Sequence, residues 1–72
     1  MRSLLVQLQE KIEGFFDETN NQPIERYELV KKMESGRFIK EFIDESLNTF
    51  LKVGYLIDHN GKIKRSDEKF HF

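Results

Sequence analysis

The stretch Ile43-Asp44-Glu45-Ser46-Leu47-Asn48-Thr49-Phe50-Leu51-Lys52-Val53-Gly54-Tyr55-Leu56-Ile57-Asp58-His59-Asn60-Gly61-Lys62-Ile63-Lys64-Arg65 decides how this chain is read. Ile43, Leu47 and Phe50 recur at the four- and three-residue steps of one helical face. Gly54 follows four residues after Phe50 and is free to take the left-handed conformation that closes a helix. Beyond it Tyr55-Leu56-Ile57-Asp58 faces Lys62-Ile63-Lys64-Arg65 across His59-Asn60-Gly61. Asn-Gly is the strongest short-range hairpin signal, because both residues accept the positive φ of a type I′ turn. Period-two alternation sets Lys62 and Lys64 on one face of the hairpin and Ile63 on the core side. One helical face and the strand after it therefore close a single core.

Working back from this stretch, Phe38, Ile39, Phe42 and Leu51 widen the apolar stripe and predict a third helix over residues 37–53. Ser35-Gly36 stops the element before it, with Gly36 expected in the left-handed cap. That second helix is expected over residues 24–34, with Pro23 in its first turn, where a missing N–H costs nothing. It offers Tyr27, Val30 and Met33, with Leu29 beside them, to the core. A polar segment of turn formers, Asp17 to Pro23, separates it from an amphipathic first helix over residues 3–16. Ser3 is its N-cap, and Leu4, Leu5, Leu8, Ile12, Phe15 and Phe16 form its apolar side. The order is helix, helix, helix, hairpin, which is an α+β domain. The last residues, 66–72, end in Phe70-His71-Phe72 and read as an edge strand or a segment folded back on the core.

Composition bounds the rest. Seventy-two residues of 8.7 kDa support one core, since a chain this short buries only about 60% of its unfolded surface. Seven Phe in a 38% hydrophobic chain are too many for a disordered segment. Without cysteine there are no disulfides, thiolate metal sites or thiol nucleophiles. Ser3-Leu4-Leu5-Val6 is broken at once by Gln7, Gln9, Glu10 and Lys11, so it does not read as a leader, and no stretch approaches the ~20 residues that span a bilayer. The expectation is a cytoplasmic domain with no membrane association.

Over about residues 24–65 the chain resembles the winged helix-turn-helix family. The residues that carry the resemblance are Ile43, Leu47, Phe50 and Gly54 at i, i+4, i+7 and i+11, followed by the apolar strand Tyr55-Leu56-Ile57. It implies a single three-helix winged helix-turn-helix-like domain over residues 1–72, with a C-terminal β-hairpin wing at residues 58–65. The spacing from Met33 to Ile43 exceeds the family's usual tight turn, so residues 34–40 form a longer connection or extend the third helix. The function implied is binding of duplex DNA through the third helix and the basic wing, as in a transcriptional regulator, with a homodimer as one form it could take. The absence of Ala and the abundance of Lys, Glu, Ile, Phe and Asn suggest an AT-rich genome and hence a phage or mobile element. The candidate contacts are Arg37, Lys40, Asn48 and Lys52 on the helix and Asn60, Lys62, Lys64 and Arg65 on the wing.

Glu41, Asp44 and Glu45 share that helix and oppose phosphate binding, which depends on neutralising the backbone. They favour a second reading, a protein–protein adaptor of the same fold that uses its acidic third helix or a patch of Phe70, Phe72 and Tyr55. Arg26, Lys31 and Lys32 make the second helix mildly basic, as a solvated face commonly is. Catalytic chemistry is not expected. Aligning Gly61 with the glycine of a calcium loop puts Asp58, Asn60 and Asp67 at ligand positions, but Leu56 and Lys64 at two others. His59 and His71 have no metal-ligand spacing. Ser3, Ser35, Ser46 and Ser66 lack the glycine-flanked setting of a nucleophile elbow. The chain is expected to be no enzyme and to need no metal or cofactor.

Overall fold

The computed structural model describes residues 2–66, so the expectations placed on Asp67, Phe70, His71 and Phe72 lie outside the described residues. The elements in chain order are α1 (Leu4–Glu18), β1 (Ile24–Glu25), α2 (Arg26–Glu34), α3 (Lys40–Val53), β2 (Leu56–His59) and β3 (Lys62–Arg65). Three helices and a three-stranded antiparallel sheet of order β1-β3-β2 make an α+β domain. Ser3 caps α1 as its residue type predicts, its Oγ accepting the Val6 N–H at 3.2 Å. Leu8, Ile12 and Phe16 form the fully buried stripe of α1. They meet Leu29 and Met33 of α2, Ile43, Leu47 and Phe50 of α3, and Leu56 and Ile63 of the sheet.

The first departure from the sequence reading is at Pro23. Ile24 and Glu25 are not the start of a helix but a short strand, with Ile24 opposite Ile63 and Glu25 opposite Lys62. Burial of Ile24 against β3 outweighs the helical preference of the following residues, and α2 begins at Arg26. The strand cannot extend backwards through Pro23, which has no N–H for the ladder. The side chain of Asn21 substitutes for the missing backbone: its Nδ2 donates to the Arg65 carbonyl at 2.9 Å and its Oδ1 accepts the Arg65 N–H at 2.8 Å. Asn20 and Asn21 both hold positive φ, 56° and 58°, a region asparagine tolerates better than most residues.

The α2–α3 connection is the second departure. Gly36 does not take the left-handed conformation; Arg37 does, at φ 76°. Glycine at 36 avoids a tight contact, since a Cβ there would lie 3.3 Å from the Met33 carbonyl oxygen, which accepts the Gly36 N–H. Left-handed Arg37 and extended Ile39 (φ −80°, ψ 151°) prevent a helix from starting at 37. Residues 35–39 are therefore a longer connection and α3 begins at Lys40. Ile39, assigned to the apolar stripe by its spacing, is 67% exposed, while Phe38 is half-buried and stacks on Phe42 with ring centroids 6.1 Å apart. Tyr27, likewise expected in the core, is 57% exposed.

The decisive stretch folds into a helix and hairpin as its residues predict, except that Tyr55 precedes β2 and His59 pairs with Lys62 instead of joining the turn. Gly54 closes α3 at φ 88°, and the Phe50 ring meets Tyr55 edge-on at 5.3 Å. Asn60 and Gly61, at φ 55° and 82°, make the two-residue turn between β2 and β3. The Asp58 carboxylate accepts the Gly61 N–H at 2.9 Å and fastens the turn from within.

Candidate nucleic-acid interface

Register sorts the hairpin side chains before any ligand is considered. Lys62 stands opposite both His59 and Glu25, and Lys64 opposite Ile57, so these five share the outer face of the sheet. Ile63 lies on the inner face and is buried. By the same parity Arg65 is on the inner side, opposite Leu56. Its guanidinium reaches α1 and pairs with Asp17 at 2.6 Å and, more loosely, with Glu13 at 3.8 Å. The hydrogen bond to Asp17 holds the Arg65 pKa further above its already high ordinary value. Arg65 thus ties the hairpin to α1 and does not join the cations at the tip. Lys62 and Asn60 are exposed there, and Lys64 is half-buried.

Next to Arg65 in this seam is Tyr55, only 1% exposed, close to the buried Gln9 and to Glu13 of α1. Burial pushes its phenol up to about 12; Glu13 adds to the rise, while a hydrogen bond with Gln9 and the charge of Arg65 oppose it. At every physiological pH the group is a neutral phenol. Tyr55, Arg65 and Asn21 together set the hairpin's orientation against the helices.

On α3, helical geometry puts Glu41, Glu45, Asn48 and Lys52 along the middle of the exposed face, at steps of four and three. All four are exposed. Among the described residues Glu41 and Glu45 make no ion pair. Asp44 differs. It lies on the side of α3 towards α2, where Arg26 Nη2 is 3.6 Å from its carboxylate and donates to its backbone carbonyl at 3.0 Å.

Of the eight candidate contacts, Asn48 and Lys52 share the outward face of α3, and Asn60, Lys62 and Lys64 belong to the hairpin. Arg37 is exposed on the α2–α3 connection, and Arg65 is turned inwards. Lys40, at the start of α3, lines a cleft of about 460 Å3 with Arg26, Tyr27, Val30, Lys31, Glu34 and Asp44. The sequence reading missed this cleft because it put Tyr27 in the core. The signal available was that Tyr27 and Lys31 stand four apart on one helical face and so line one surface together. No family model matches the chain, and no curated protein or solved structure matches it. Among the described residues no helix is long and apolar enough to cross a membrane.

Proposed function

We propose that this is a winged-helix protein that binds duplex DNA, with α3 towards the major groove and the β2–β3 hairpin as a wing along the backbone. The observation that carries the reading is the pairing of β1 with β3. It adds a third strand to the helix-helix-helix-hairpin order and supports the β3 strand of the wing from the side opposite β2. The result is a hairpin that projects Asn60, Gly61 and Lys62 beyond the core, continuous through Gly54 with the helix whose outer face carries Asn48 and Lys52. Lys62 and Lys64 supply sequence-independent contacts to phosphate, and Asn48 suits bidentate pairing with adenine. Arg65 has no part in the contact, because α1 holds it. A DNA-binding regulator is the biological role that fits these contacts.

The competing adaptor reading is favoured by Glu41 and Glu45 in the middle of α3, which make no ion pair among the described residues. Fluorescence anisotropy with mixed-sequence duplex at about 50 and 200 mM salt separates the two, since phosphate contacts make affinity fall steeply with salt. Binding at the lower salt that collapses at the higher is expected. No binding at the lower salt would overturn the DNA reading and leave the acidic face of α3 as a protein-binding surface.

A further inference from the structure

The α2–α3 cleft gathers groups that neither the fold nor the contacts assigned above require. Lys31 and Tyr27 come from the α2 wall, with the Lys31 ammonium 5.8 Å from the Tyr27 ring centroid. Lys40 comes from the α3 wall. Arg26 and Asp44 face each other across the cleft and largely cancel, leaving Lys31 and Lys40 against Glu34, with Glu28 and Glu25 close to the Tyr27 hydroxyl. Tyr27 is the large exposed aromatic of α2, and Glu28 and Glu25 raise its pKa further above the ordinary value of a phenol. That hydroxyl lies 3.4 Å from the Glu28 carboxylate, a long contact that leaves it able to turn to a better acceptor. Two cations from opposite walls and a phenolic donor over a floor formed by Val30 suit an anion larger than a bare ion.

We propose that this cleft seats a phosphodiester group of the bound duplex, with Lys31 and Lys40 closing on it from the two helices and Tyr27 donating a hydrogen bond. The proposal rests on the DNA reading and extends it from the wing and the outer face of α3 to a second line of backbone contact on α2. The cleft lies on the side of α3 that Lys40 faces, so the seat would hold the strand flanking the groove that α3 enters. Glu34 on the same rim and Glu28 beside the Tyr27 hydroxyl weaken the seat and limit how much it adds.

Helix α2 carries its own control. Lys32, one residue on, points to the opposite side of the helix, where its ammonium is 5.8 Å from the Phe15 ring of α1. Lys31→Gln and Lys32→Gln change the net charge equally, but only the first removes a cation from the cleft. In salt titrations of duplex binding, Lys31→Gln is expected to weaken affinity several-fold and to reduce the slope of log affinity against log salt by about 0.9, the loss of one phosphate contact. Lys32→Gln should leave the slope unchanged, Tyr27→Phe should weaken binding without altering the slope, and Glu34→Gln should tighten it. Equal effects of Lys31→Gln and Lys32→Gln would show a net-charge effect only and overturn the seat. If the wild type binds and loses affinity on Lys62→Ala but not on Lys31→Gln, the seat fails while the wing reading stands. If the wild type shows no salt-sensitive binding, both fail.

Discussion

Asn21 is the most exacting test of the architecture, because one side chain does the work of a strand residue. Its amide makes two hydrogen bonds to the Arg65 backbone, at 2.9 and 2.8 Å, in a partly buried setting. A hydrogen bond of this kind contributes about 0.5–1.5 kcal/mol net, so removing both costs about 1–3 kcal/mol. Asn21→Gly removes the pair while accommodating the φ of 58°. Asn21→Ala removes the same bonds and places a Cβ in the left-handed region, which adds about 1–2 kcal/mol. For a domain of this size each kcal/mol moves the thermal midpoint by about 4–8 °C. Thermal unfolding followed by circular dichroism should therefore rank wild type, Asn21→Gly and Asn21→Ala in that order, with the glycine variant down by about 8–16 °C for a loss of about 2 kcal/mol. Native-state hydrogen exchange adds a local readout, since the Arg65 amide should lose protection in both variants. A glycine variant within about 0.5 kcal/mol of wild type, with the Arg65 amide still protected, would refute the idea that this amide completes the sheet.

Phe50→Ala should cost about 3–5 kcal/mol, enough to unfold a small domain, because Phe50 is fully buried at the junction of α3 and Tyr55. A cooperative denaturant transition in that variant near the wild-type midpoint would contradict the assigned core. Gly54→Ala, at φ 88°, should cost about 1–2 kcal/mol by the same measurement. Lys62→Ala with Lys64→Ala should leave stability within about 0.5 kcal/mol per site while flattening the salt dependence of DNA binding, and an unchanged slope would remove the wing from the interface. The Tyr55 phenol has a folded pKa of about 12 against an ordinary 10.0, so its contribution to stability is complete below pH 10 and is lost as pH rises from there through 12. The difference in unfolding free energy between wild type and Tyr55→Phe should shrink or reverse in favour of the variant across that window, and a difference independent of pH there would argue against burial of the hydroxyl.

Local signals proved sufficient where a residue's own chemistry dictates its conformation. Asn60-Gly61 makes the tight turn because the two-residue hairpin demands positive φ at both positions, and Gly54 ends α3 for the same kind of reason. The periodic Ile43, Leu47 and Phe50 lie on the buried face because nothing in the tertiary structure competes for them. At the Lys62–Arg65 strand, alternation alone separates the outward lysines from Ile63 and Arg65. The inward direction of Arg65 was thus legible in principle; the acidic partners that hold it, Glu13 and Asp17, were not, being 52 and 48 residues away in the chain.

Other features were decided only by the assembled structure. Ile24 and Glu25 pair with β3 because a buried position opposite Ile63 exists once the hairpin has formed, which no property of residues 23–26 announces. Tyr27 and Ile39 have the spacing of core residues but are exposed, Tyr27 on the α2–α3 cleft and Ile39 on the extended backbone just before α3. The left-handed residue of the turn is Arg37 and not Gly36, where a Cβ would make a tight 3.3 Å contact with the Met33 carbonyl oxygen. The α2–α3 cleft follows from that turn, which brings Lys40 opposite Tyr27 and Lys31. Periodicity and turn chemistry act over a few residues and were readable from the sequence alone, whereas which faces meet depends on competition for a single small core, and only the tertiary structure resolved it.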